Sequence, residues 1–253
     1  MSACKFGAPP GATDQGKDIA GLYHLMFWIA IGVGAIVLGL IVYAVLRFRR
    51  RNEDLPKQTR YHVPLEVTYT VIPILIVLFI FAATYRVEHR VDHVAPNPGV
   101  VVDATAFQWQ WRFTYPQYRI TLIGTPTTYP TFEVPVGETV RIQLRAQDVI
   151  HAFYVPQFLF KRDAIPGKLN TFDFRVPEPG TFAGECAEFC GLNHATMGFF
   201  VKAVPRDEFD QWVKEQQSKS NATPTPGATS GSTPTSTPDA GPVTPTVIAG
   251  NSG

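Results

Sequence analysis

Residues 22–46 read Leu-Tyr-His-Leu-Met-Phe-Trp-Ile-Ala-Ile-Gly-Val-Gly-Ala-Ile-Val-Leu-Gly-Leu-Ile-Val-Tyr-Ala-Val-Leu, 25 positions without an Asp, Glu, Lys or Arg. A helix of about 20 apolar residues crosses a bilayer. A second charge-free run, 67–85, covers 19 residues rich in Ile, Val, Leu and Phe. Between them, 47–63 holds six Lys and Arg. A pair of buried core helices would also be apolar, but two such runs around a basic loop favour a transmembrane hairpin. Positive charge stays on the cytoplasmic side. That bias predicts a cytoplasmic loop, with both termini and everything from about Val91 onward extracytoplasmic. Pro73 removes one backbone donor inside the second run, so a local kink is expected. Gly32, Gly34 and Gly39 offer a close approach to a helix of a larger membrane partner.

Downstream of the hairpin the pattern changes to short strands. Residues 100–107 (VVVDATAF) and 108–115 (QWQWRFTY) are β-branched or aromatic and stop at Pro116. Strand-like stretches follow at 132–136, 139–146, 149–155, 169–176, 181–185 and 198–204, and Gly or Pro punctuates most of the gaps. This spacing predicts an all-β antiparallel sandwich or barrel. A short helix is expected over 207–218, with acidic residues in its first turn. The domain reading is a flexible N-terminal arm over 1–18, a two-helix hairpin over 19–90, an extracytoplasmic β domain with a C-terminal helix over 91–217, and a tail over 218–253. The tail is almost free of apolar residues and is expected to be disordered. Met1-Ser-Ala-Cys4 resembles the end of a bacterial lipoprotein signal. A lipid-bearing Cys4 and an incidental one both stay open.

A net charge of +1 gives a nucleic-acid partner no support. The three cysteines do not form a disulfide framework, since two of them share one short run. That run, 186–197, reads Cys-Ala-Glu-Phe-Cys-Gly-Leu-Asn-His-Ala-Thr-Met. It presents two thiols, an imidazole and a thioether, and soft sulfur mixed with imidazole suits copper, with room for more than one ion. His151, 35 residues before Cys186, is the best candidate for one further ligand. Zinc is the rival metal, although structural zinc rarely uses Met. A Cys186–Cys190 disulfide is the other rival in an extracytoplasmic domain.

On these residues the sequence resembles a known family, subunit II of the haem–copper cytochrome c oxidases. The resemblance rests on the two spans, Glu66 at the start of the second, Gln108-Trp109-Gln-Trp111, Asp148-Val-Ile-His151, Asp163-Ala-Ile-Pro-Gly-Lys-Leu-Asn170 and the Cys186–Met197 loop. It implies a cupredoxin β domain with a dinuclear CuA centre of two Cu ions. Cys186 and Cys190 would bridge both ions, and His151 and His194 would each bind one. Met197 and the Glu188 carbonyl would be weak ligands. The Glu188 carboxylate would share a Mg or Mn ion with subunit I. Trp109 would be the point of electron entry from a soluble or tethered cytochrome c, and Glu66 the mouth of a proton channel. The family implies an aa3-type-like oxidase in the bacterial plasma membrane, with partner subunits I and III and membrane lipid around the spans. Alternation along a strand places Trp109 and Trp111 on one face. From Val91 to Gln217 there are 14 acidic and 11 basic residues, so long-range steering of a basic donor is expected to be modest. A quinol oxidase subunit lacks the copper ligands, a free-standing copper carrier does not account for Glu66 and 163–170, and nitrous oxide reductase would not need two spans. The chain contains no Cys-x-x-Cys-His and so carries no c-type haem of its own.

Overall fold

A computed structural model describes residues 10–50, 59–125 and 127–222. Cys4, positions 51–58 of the basic loop and the tail from residue 223 lie outside the described residues. Two long helices come first, α1 (Asp14–Arg47) and α2 (Val63–Val91). At 1.5 Å per residue they are about 51 and about 44 Å long, more than the roughly 30 Å of a bilayer core. Large apolar side chains stand exposed along both, among them Trp28, Ile36, Leu46 and Phe81. A helix that is apolar on every face needs hydrocarbon or a protein core around it. The apolar windows of both helices are unburied, so lipid or a partner is their solvent.

Helix α1 starts at Asp14, inside the stretch expected as an arm. Thr13 caps it, accepting from the Gly16 N–H at 2.9 Å in a buried position. The turn is anchored on the β domain, where Ala12 N–H donates to Gln157 O at 2.8 Å and Arg175 pairs with Asp14 at 3.3 Å. Helix α2 also overshoots its charge-free run. His62 Nδ1 accepts from Leu65 N–H and Glu66 Oε1 accepts from His62 N–H, both at 3.2 Å. That reciprocal pair works as a capping box does, with His as the cap and the returning carboxylate one position later than usual. Pro73 lies within α2 without ending it.

The β domain holds two five-stranded sheets. The strands are β1 (Val100–Phe107), β2 (Gln110–Tyr115), β3 (Ile120–Ile123), β4 (Thr131–Pro135), β5 (Thr139–Ala146), β6 (His151–Val155), β7 (Phe160–Ala164), β8 (Asn170–Arg175), β9 (Gly180–Cys186) and β10 (Gly198–Val204). One sheet runs β3-β2-β1-β5-β8 and the other β4-β10-β9-β6-β7. The antiparallel expectation needs correcting, because β1 pairs with β5 and β4 with β10 in parallel. Both are pairings between strands distant in sequence, which local periodicity does not encode. Alternate residues of β1 (Val100, Val102, Ala104, Ala106) and of β5 (Val140, Ile142, Leu144) point inward. The core between the sheets is aromatic. The Phe113 and Phe132 rings lie 4.2 Å apart and the Phe153 and Phe199 rings 4.7 Å apart. Helix α3 (Arg206–Ala222) runs past the expected 207–218 and buries Phe209 and Val213.

A charged clamp ties the end of α2 to the domain. Arg141 pairs with buried Asp173 at 2.8 Å, and Asp173 also accepts from Ala95 N–H at 2.7 Å. Arg162 pairs with Asp92, the residue that caps α2.

Candidate metal centre

Strand β6 supplies His151 as its first residue, and β9 ends on Cys186. The loop that follows returns through a 3₁₀ turn at His194–Thr196 to Met197 and β10. Its base is closed by Cys186 N–H donating to Met197 O at 3.0 Å. Gly191 inside it has φ +118°, a conformation that L side chains rarely adopt. A Cβ there would also lie 3.2 Å from the side-chain nitrogens of Gln108 and Trp109.

The fold brings all the expected donors together. Cys186 Sγ lies 3.9 Å from Cys190 Sγ, 3.8 Å from His151 Nδ1 and 3.3 Å from the Glu188 carbonyl oxygen. Cys190 Sγ lies 3.5 Å from His194 Nδ1 and 3.9 Å from Met197 Sδ. His151, Cys186, Cys190 and Met197 are all buried. The two cysteines are free, since a disulfide needs about 2.05 Å between sulfurs. Each thiol has its own imidazole and one weaker donor, the Glu188 carbonyl at the Cys186 end and Met197 at the Cys190 end. This donor set fits a soft-metal cluster with two ends, and fits a single four-ligand zinc site poorly.

The electrostatics show what such a site lacks on its own. Burial opposes ionisation of Cys186, but hydrogen bonds to His151 and to the Glu188 and Ala152 backbone outweigh it and bring the thiol down to about 6. Burial and then the neighbouring Cys186 charge push Cys190 up to about 12. One thiolate therefore forms readily and suppresses the second. At neutral pH a second thiolate is disfavoured here, and positive charge entering between the sulfurs would favour it.

An outer layer fixes the donors. Asp148 accepts from His151 Nε2 at 2.8 Å, from Gln108 N–H at 2.6 Å and from Val149 N–H at 2.7 Å. Burial raises the Asp148 carboxyl, and those three bonds more than reverse it. Burial likewise opposes the His151 imidazolium, and Cys186 and Asp148 together overcome it. The side chains of Gln108 and Trp109 donate to the Cys190 carbonyl at 2.8 and 3.2 Å, and Trp111 donates to the Met197 carbonyl at 3.4 Å. Sequence reasoning assigned no role to Asp148 or Gln108, and read Trp111 only as sharing an aromatic face with Trp109. The available signal was a carboxylate three residues before a ligand histidine, a spacing that suits an outer-layer partner.

The two tryptophans do not share a face. Residues 108–109 form the turn between β1 and β2, which breaks the alternation. Trp111 is fully buried against Phe113 and Phe199, while half-buried Trp109 lies beside the metal loop. Phe189 and Leu192 project from that loop at 81 and 89% exposure. The Glu188 carboxylate is exposed and bonds Lys161 at 2.7 Å, which holds it below its ordinary range. Glu66 stands apart from the cluster, about 38 Å down α2 from the β domain at 1.5 Å per residue.

Two family models match the chain: cytochrome c oxidase subunit II, transmembrane domain, over residues 2–87, and cytochrome c oxidase subunit II, periplasmic domain, over 127–204. A probable cytochrome c oxidase subunit 2 of Streptomyces avermitilis is 33% identical over 85% of this chain and 80% of its own length. The cytochrome c oxidase subunit 2 of Mycobacterium tuberculosis is 30% identical over 87% of this chain and 77% of its own. Among solved structures, the periplasmic domain of oxidase subunit II (CoxB) of Bradyrhizobium japonicum is 34% identical over 50% of this chain and 99% of that one, with a TM-score of 0.46. Identity of this order, running through both the hairpin and the β domain, means that the protein belongs to the cytochrome c oxidase subunit II family.

Proposed function

We propose that this chain is the electron-entry subunit of an aa3-type-like cytochrome c oxidase. It would hold two copper ions in a CuA centre on Cys186, Cys190, His151, His194, Met197 and the Glu188 carbonyl. The observation that carries this reading is the paired arrangement of donors, one imidazole against each of two thiols 3.9 Å apart. When bound, the copper pair supplies a one-electron carrier whose charge is shared over two ions. The protein's part is to keep the donors fixed as the charge changes. Cys186 and His151 sit at strand ends, Met197 is tied to Cys186 through the backbone, and Asp148 orients His151. Fixed donors make the reorganisation between redox states small, and small reorganisation makes transfer fast at low driving force.

Electrons would arrive from cytochrome c through Trp109, whose indole N–H is bonded to the Cys190 carbonyl. They would leave for haem in subunit I, where oxygen reduction is coupled to proton pumping. The Glu188 carboxylate is exposed and bonds Lys161, while the residue's carbonyl oxygen faces Cys186. The carboxylate would meet a Mg or Mn ion held jointly with subunit I, in place of or beside Lys161. The hairpin would lie in the plasma membrane of a bacterium, beside subunits I and III, with the β domain and both termini outside. Glu66 would open a proton channel at the cytoplasmic end of α2, in addition to capping the helix.

The deciding experiment is the EPR spectrum of the purified, copper-loaded chain. Seven hyperfine lines are expected from one electron shared by two coppers, and four lines would reject the assignment. In the assembled oxidase, Trp109→Leu should slow electron uptake from cytochrome c while leaving that spectrum intact. Glu66→Gln should slow proton uptake during reduction. Unchanged rates would remove either role.

A further inference from the structure

Four charged side chains converge where the hairpin meets the β domain. Lys17 and Asp18 precede the charge-free run of α1, and Arg86 and Arg90 follow that of α2. Arg90 and Asp18 join the two helices at 3.2 Å. All four line a groove of about 610 Å³ between α1 and α2. Its remaining lining is small or apolar and includes Gly21 and Phe79. Arg90 is matched by Asp18, whereas among the described residues neither Lys17 nor Arg86 has an ion pair. The groove therefore carries two positive charges in excess, above an apolar floor.

These cations stand at the end of the spans opposite the basic loop. The positive-inside bias disfavours Lys and Arg on that side, so their convergence there points to a negative charge that they meet. An aqueous anion would satisfy the cations but not the apolar floor. A lipid satisfies both, because its phosphate stays at the interface and its chains run down into hydrocarbon. We propose that the groove between α1 and α2 at the β-domain end binds an anionic phospholipid, with the phosphate held by Lys17 and Arg86 and an acyl chain laid past Gly21 and Phe79.

The test uses the full chain in nanodiscs of phosphatidylcholine containing a minor share of phosphatidylglycerol, with retained lipid counted by native mass spectrometry. The wild type should be enriched in phosphatidylglycerol. Lys17→Gln with Arg86→Gln should lower its retention about thirtyfold, the effect of two interfacial cations. Arg119→Gln, in the exposed turn before β3, should change nothing. A Cβ at Gly21 meets nothing within 4 Å. Gly21→Leu therefore fills the groove without removing a charge, and it should also expel the lipid. Copper loading of each variant reports that the β domain has folded. Equal retention of both lipids, retention that survives Lys17→Gln/Arg86→Gln and Gly21→Leu, or displacement of the lipid by inorganic phosphate would overturn the proposal. So would loss of the enrichment in the assembled oxidase, since another subunit would then fill the groove.

Discussion

Replacing Asp148 with asparagine removes one negative charge and almost no volume. In the wild type the Asp148 carboxylate takes three hydrogen bonds within 2.8 Å, from the Gln108 and Val149 amides and from His151 Nε2. His151 Nδ1 is left facing Cys186. The carboxylate thereby fixes the tautomer that directs Nδ1 at the metal, and makes the ring a better donor. Loss of such an outer-layer partner typically costs 10- to 100-fold in metal affinity, or about 1.4–2.8 kcal/mol. Asparagine keeps an acceptor oxygen, and the Asp148 side chain is 32% exposed. Both points put the expected loss at the lower end, about tenfold. The centre's reduction potential should rise, because the oxidised form carries more positive charge and loses an anion beside it. Copper titration against a competing chelator measures the affinity, and protein-film voltammetry measures the potential. Copper affinity within twofold of wild type, together with an unraised potential, would refute the role given to Asp148.

Gly191→Ala should release copper faster and cost about 1–3 kcal/mol, because it puts a side chain at φ +118° and drives it toward Gln108 and Trp109; chelator-trap kinetics and chemical denaturation read the two effects. Asp173→Ala should destabilise the domain by about 3–5 kcal/mol by leaving Arg141 half-buried without its partner; a denaturation midpoint that does not move would contradict the clamp. Burial, then the Glu133 charge, holds the Tyr115 phenol well above its ordinary value of 10.0. Its stabilising share is therefore complete below about pH 10 and is lost as pH rises beyond that. Tyr115→Phe should cost about 1 kcal/mol at neutral pH, through the bond to the Glu133 carbonyl, and flatten the alkaline loss seen in pH-dependent melts.

The hairpin and most strands were legible in the sequence because their signal is local. Residues 139–146 and 198–204 were bounded as the structure has them. The strands missed, β3 and β7, are both sheet edges. Edge strands are short and often charged; β3 has four residues, and β7 carries Lys161, Arg162 and Asp163. Neither makes the apolar alternation that marks an interior strand. The parallel pairings were not legible, since nothing local to β1 names β5. At the metal centre the donors were readable by chemical type alone. Their supports were not, because Gln108 and Trp111 act through bonds to carbonyls 82 and 86 residues away. The same-face reading of the two tryptophans failed for a local reason. A period of two holds only within a strand, and the turn at 108–109 starts the count again.

The two sulfurs explain why the donors need so rigid a frame. Their buried pair admits one thiolate near pH 6 and resists the second up to about 12. Across that interval the two sulfurs share one negative charge. Cations entering between them would favour loss of the second proton. Nearby cationic side chains would lower the barrier to the second thiolate, but they would also hold a counter-charge that fails to change with redox state. The chain instead surrounds the sulfurs with apolar groups, with neutral donors such as the Met197 thioether and the Glu188 carbonyl, and with backbone-tied supports. It sets the single carboxylate of Asp148 behind His151, one ring away from the sulfurs. Copper then brings nearly all the compensating charge, and the frame has little of its own to rearrange when an electron passes.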